Sequence, residues 1–299
     1  MEAATTVGRA PAREEAGTRV ARKAPQGQRT PWWLWISVAA IVVFCLFPFY
    51  WLVNISLKNG PDLSSAHAFP QHPTLTNYKS IFQNNDFTKA LLNSAIVSLV
   101  TTVLALVVGS FAAYALARLR FKGKAFLLGL VLSVTTFPAI AVAAPLFKLW
   151  TDIGIYNTYA GLIIPYLAFA LPLAIYILVS FFGEIPKDLE EAALVDGATR
   201  FQAFTKVVIP LAAPGLATAG ILTFIFAWNE FLLAITLTSS TAARTVPAEI
   251  AFFTGSTQFE QPLGTISAAS VVISIPLIFL VLFFQKRIVA GLTAGAVKG

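Results

Sequence analysis

Cysteine is almost missing from this chain of 299 residues: the one thiol, Cys45, sits inside an apolar run. No disulfide within the chain can staple the fold, and a thiol metal site is excluded. Histidine is nearly as scarce, with only His67 and His72, five apart in a proline-bearing stretch. Without a companion cysteine they are set aside as metal ligands. Charged residues make up 12% of the chain, about half the share usual in soluble domains. The nearest approach to a phosphate-cradling loop, KGKAF at 122–126, lacks the upstream glycine spacing and the Ser or Thr after the lysine. Neither a nucleophile–base pair nor a carboxylate dyad stands at motif spacing, so an intramembrane enzyme has no catalytic constellation to use. The expectation is a chain with no catalytic residues and no cofactor of its own.

Apolar residues are what the chain has, 57% of it with 25 Phe and a mean hydropathy of +0.75. Runs long enough to cross a bilayer, about 20 residues each, lie near 33–57, 90–117, 125–149, 158–182, 210–237 and 264–284. The first is too long, and preceded by too much polar sequence, for a cleaved signal peptide, and it is expected to be an anchor. The net charge of +7 does not imply nucleic acid, because Lys and Arg are spread around the spans. Six lie before Trp32, four in residues 118–124, three in 183–206 and three after Phe284. The positive-inside rule then puts both termini in the cytoplasm. The segments 58–89, 150–157 and 238–263, with Lys58, Lys79, Lys89 and Arg244 between them, fall on the outer side.

The expected organisation is all-α. Residues 1–31 form a disordered cytoplasmic tail, since they show no apolar period. Residues 32–288 form a six-helix transmembrane domain, and 289–299 a cytoplasmic tail. In the first outer segment Tyr78, Ile81 and Phe82 suggest a short amphipathic element. Pro138 with Pro145, and Pro165 with Pro172, predict bends in spans three and four. Gly109, Ala113 and Ala117 form a small-residue stripe for close helix packing.

The stretch EEAALVDGATRFQAFTKVVIPLAAPG at 190–215 is charged and helix-prone, yet lies between apolar spans. Asp188 is expected to cap a short helix with Glu191 at its third position. That helix stops at Gly197, and Thr199 caps a second one before Pro210 opens span five. On the residues alone, the segment is either a solvated connector or a surface shaped for a partner. In span five, Trp228, Asn229 and Glu230 put a carboxylate at membrane depth, where it must face the bundle or water. It is either a substrate contact in a pathway or a structural hydrogen bond to a neighbouring helix or partner subunit. Ser267, Ser270 and Ser274 read as packing hydroxyls.

Glu191, Ala192, Ala193, Gly197, Val207, Ile209 and Pro210 match the E-A-A, three residues, G, nine residues, I-x-L-P signature of binding-protein-dependent ABC importer permeases. Val207 and Ile209 depart conservatively from it. With AYALARLRFKGK at 113–124, AWNEFLLAITLT at 227–238 and the ending GLTAGAVKG, the chain resembles maltose-type carbohydrate permeases, and within them the permeases of trehalose importers. The resemblance implies a type I ABC importer permease fold in a bacterial plasma membrane. It implies a coupling loop at 183–209 whose Glu191, Ala192, Ala193, Asp196 and Gly197 engage an ATPase. The implied partners are a second permease, two ATP-binding subunits carrying ATP and Mg, and an extracytoplasmic sugar-binding protein. The cargo would be a disaccharide such as trehalose or maltose, or another solute. An ion-coupled secondary transporter is the alternative class; it should carry several buried acids and inverted repeats, and would leave the loop without a purpose.

Overall fold

The computed structural model describes residues 31–65, 67–83, 85–253 and 262–294. Apart from Pro31, the expected disordered tail falls outside these residues, as do the last five residues of the expected carboxy-terminal tail. Among the described residues there is no strand. Thirteen α-helices run in order along them: α1 (Trp32–Ser56), α2 (Thr76–Gln83), α3 (Asn85–Arg118), α4 (Lys124–Ser133), α5 (Ala139–Asp152), α6 (Tyr159–Glu184), α7 (Lys187–Val195), α8 (Arg200–Ala203), α9 (Ile209–Leu211), α10 (Ala213–Asn229), α11 (Leu232–Leu237), α12 (Val246–Ile250) and α13 (Leu263–Ala294).

Four of these, α1, α3, α6 and α13, are long and apolar enough to cross a bilayer by themselves. Two bent pairs bring the number of crossing segments to six. The pair 124–136 and 139–152 turns by 86°, and the pair 200–211 and 213–229 by 76°. Span three is therefore bent, as its proline pair predicted, and span five is interrupted where the apolar run predicted a continuous crossing. In span three the cause is local. Pro138 denies its nitrogen to the helix and forces Phe137 into extended backbone, ψ 125°. The hydroxyls of Ser133, Thr135 and Thr136 turn back onto the carbonyls of Leu130, Leu132 and Ser133 at 2.7 Å, occupying acceptors beside the break. Pro165 and Pro172 lie inside α6, which runs unbroken for 26 residues.

The chain divides into two compact units, Met1–Phe47 and Pro48–Gly299. The described part of the first is the opening of α1, where Trp32, Trp33 and Trp35 are exposed, as suits rings at a membrane interface. The second unit is organised around α3 and α6, which pack along each other and against α10. The small-residue stripe makes this approach possible. A Cβ added to Gly109 would meet that of Ala174 at 3.6 Å, and Ala113 is fully buried. At Gly215 on α10 a Cβ would fall 2.4 Å from the Phe181 ring, so only glycine lets these helices close.

Near the start of α3 a polar network joins the helix to the loops. Asn93 donates to the carbonyls of Thr241 and Arg244 at 2.9 Å and accepts from the Tyr159 hydroxyl. Arg244 in turn pairs with Glu249 at 3.0 Å and covers the Phe252 ring. In α2, Asn77 and Ile81 are buried and the Tyr78 hydroxyl meets Ser56 at 2.7 Å. Phe82, expected on the same side, is half exposed.

Candidate functional site

In the loop between α6 and α10, the first helix starts two residues earlier than its capping pattern suggests. α7 opens at Lys187 behind Pro186, with no side-chain cap. Asp188 thus lies inside the first turn, where its charge favours the helix dipole, and the expected box with Glu191 is not formed. The far end follows expectation. Gly197 takes φ +88°, its N–H reaches the Leu194 carbonyl at 3.1 Å, and the Ala198 N–H reaches that of Ala193 at 2.9 Å. These two bonds make a Schellman ending. Thr199 then caps α8 in a full capping box with Gln202. A π-helical stretch, Phe204–Val208, carries the chain to the 76° bend at Ala212.

The two faces of α7 differ in chemistry. Leu189, Ala192 and Asp196, spaced for one side of a helix, are exposed, and Val195 beside them is 87% exposed. Ala193 is partly covered. On the opposite side Glu190 is buried. Its carboxylate accepts from the Tyr114 hydroxyl and lies 3.4 Å from Arg118 Nε. Arg118 also donates to the Ile185 carbonyl at 2.8 Å. Tyr114 and Arg118 stand four apart on α3, one face of the helix, so this trio ties α7 directly to a membrane-crossing helix. Glu191, and not Glu190, is the glutamate of the family signature. A signal for Glu190 was present, since Tyr114 and Arg118 share a face at the end of an apolar span, and only one of two adjacent glutamates can turn toward it. Glu191 itself is exposed and lines a cavity with Lys187 and Arg200.

Glu230 lies in a second break of the same crossing. α10 stops at Asn229, Glu230 is extended, and α11 begins at Leu232. The expected continuous span through Leu237 is thus corrected, because the carboxylate competes for backbone donors. It accepts the N–H groups of Leu233 at 2.8 Å and Ala234 at 3.0 Å, capping α11. Trp228 is buried and its indole donates to the Ile273 carbonyl at 3.1 Å, which places it between α10 and α13. Asn229 is exposed, with its amide on the Ile225 carbonyl. Of the three, Asn229 and partly Glu230 are accessible, and Trp228 is not. Among the described residues no group of three or more His, Cys, Asp or Glu is placed to hold a metal ion.

Residues 105–293 match the family described as binding-protein-dependent transport system inner membrane component. The chain is 54% identical to the trehalose transport system permease protein of Mycobacterium tuberculosis (strain CDC 1551 / Oshkosh), across 89% of this chain and 97% of that one. It is 44% identical to the sulfoquinovosyl glycerol transport system permease protein of Agrobacterium fabrum (strain C58 / ATCC 33970), covering 88% and 93%. It is 41% identical to the trehalose/maltose transport system permease protein of Thermococcus litoralis (strain ATCC 51850 / DSM 5473 / JCM 8560 / NS-C), covering 88% and 95%. In fold it is similar to a chain of a bacterial ABC transporter involved in the import of alginate, with TM-score 0.72 and 23% identity over 88% of this chain and 99% of that one. With a family match over most of its length and relatives this similar from end to end, the chain belongs to the binding-protein-dependent transport system inner membrane components.

Proposed function

We propose that this permease is the membrane-spanning subunit of an ATP-driven importer of a disaccharide such as trehalose or maltose, and that α7 is its coupling helix. The observation that carries the reading is the exposed face Leu189, Ala192 and Asp196 on a helix whose other side is tied to α3 through Glu190. A face left bare on a rigid strut is suited to receive force from a partner. Ala192 permits close approach, and Gly197 supplies the turn that returns the chain to the membrane. In this reading the partner is an ATPase dimer that binds and hydrolyses ATP with Mg. A second permease completes the pathway, and an extracytoplasmic binding protein delivers the sugar. The basic segments 118–124 and 183–206 face the cytoplasm, as do both termini.

Glu230 serves in this scheme as the cap of α11 more than as a contact for sugar, because both carboxylate oxygens already accept backbone N–H groups. A second cargo is favoured by one observation, the 44% identity to a permease named for sulfoquinovosyl glycerol, which would make the solute a sulfonated glycoside. The test is uptake by proteoliposomes holding the whole complex, with ATP inside and binding protein outside. Trehalose or maltose uptake that requires both supports the reading. ATP-dependent uptake of sulfoquinovosyl glycerol alone would reassign the cargo, and ion-driven uptake without ATP would overturn the mechanism.

A further inference from the structure

Behind α7 lies a cavity of about 550 Å³. Arg118 and Arg120 reach it from the end of α3, Lys187, Glu190 and Glu191 from α7, and Arg200 from α8. Arg118 and Glu190 are paired, with side chains 4% and 11% exposed, so their charges cancel within the wall. The side chains of Arg120, Lys187 and Arg200 make no hydrogen bond or ion pair among the described residues, and all three residues are exposed. Three cations from three separate elements therefore surround one space, with Glu191 as the only carboxylate left to answer them.

We propose that this cavity binds the phosphate headgroup of an anionic phospholipid. Guanidinium groups match phosphate oxygens in pairs, and an ammonium adds a point charge. Basic pockets at the cytoplasmic ends of membrane helices take such headgroups, and this cavity opens at the end of a 34-residue spanning helix. Next to the cations Leu119 and Phe121 are 37% and 41% exposed, and the Lys124 ammonium lies 5.6 Å over the Phe121 ring. Exposed apolar groups beside a phosphate site suit the boundary between headgroups and acyl chains, where a soluble anion would have no use for them. The site borders the proposed ATPase face: Lys187, Glu190, Glu191 and Leu194 line the cavity, Leu189, Ala192 and Asp196 form the bare face, and the signature residue Glu191 stands at the boundary of the two. The bound headgroup would neutralise the strut from behind and hold α7 against the membrane surface.

The full chain, reconstituted in nanodiscs of phosphatidylcholine with phosphatidylglycerol, is released into the gas phase and its retained lipids are weighed. One phosphatidylglycerol should stay with the wild type in preference to phosphatidylcholine. Affinity should fall roughly fivefold for each cation removed, so that Arg120→Gln with Lys187→Gln and Arg200→Gln abolishes retention. Should that triple variant resist purification, Arg120→Gln alone, in the loop before α4, carries the test with a fivefold loss. Equal retention by variant and wild type overturns the proposal, as does equal retention of phosphatidylcholine. Displacement of the lipid by millimolar inorganic phosphate would assign the site to the free anion instead. Unchanged lipid retention with loss of the co-purified ATPase would make the cavity a protein contact. Because the readout is lipid mass, failure here leaves the coupling role of the bare face intact.

Discussion

Glu190 and Glu191 are adjacent and chemically identical, yet one is enclosed by Tyr114 and Arg118 while the other faces solvent. Removing one partner of a buried, hydrogen-bonded pair leaves the other charge unanswered, at about 3–5 kcal/mol. Glu190→Ala should therefore lower the melting temperature of the purified permease sharply, Glu190→Gln less so because it still accepts from Tyr114, and Glu191→Ala by very little. Equal melting of the two alanine variants would mean that the strut contributes nothing. Glu230 permits a similar separation. With the carboxylate gone, two N–H groups at the start of α11 lose their acceptors, a cap worth about 1–2 kcal/mol. Glu230→Ala should weaken folding and assembly, whereas Glu230→Gln keeps one acceptor and should transport nearly as well as wild type. A Gln variant that assembles fully but fails to transport would return the carboxylate to the solute pathway.

At the scale of the element, the loop around α7 depends on one left-handed residue. Gly197→Pro removes the N–H bonded to Leu194 and demands a negative φ where +88° is found. Ala193→Arg puts a long charged chain on a partly covered position of the same helix. Neither touches a spanning segment, so both variants should insert normally while transport is lost and ATP hydrolysis no longer responds to binding protein. Membrane fractionation with paired uptake and hydrolysis assays checks this. Normal sugar import by either variant would reduce the loop to a connector. The bent pairs concern the same scale: Pro138 breaks a helix outright, whereas Pro165 and Pro172 are absorbed in an unbroken α6. Pro145 is likewise absorbed in an unbroken α5, so the break at Pro138 goes with the extended Phe137 before it.

For the whole molecule the open question is orientation, and Cys45 makes it accessible to experiment. In a Cys45→Ser background, a cysteine placed at Ser240 should react with a membrane-impermeant thiol reagent applied to intact spheroplasts. One placed at Lys122 should react only after permeabilisation. The reverse pattern would invert the topology and put α7 on the side without ATP.

The number of crossing segments, the all-α class and the Gly197 turn were legible because each depends on local chemistry: apolar length or one residue's freedom of φ. The family signature at 191–210 was legible for the same reason, being contiguous. What the sequence could not decide is where the chain competes with itself. Whether Asp188 caps α7, whether the Glu230 carboxylate faces solute or the backbone of Leu233 and Ala234, and which of two glutamates turns toward Arg118 each depend on a partner that sequence distance hides. Tyr114 and Glu190 are 76 residues apart, and Trp228 meets Ile273 across 45. Only packing of α3, α6 and α10 sets those side chains within reach, since a buried polar group takes whichever partner the tertiary fold brings to it.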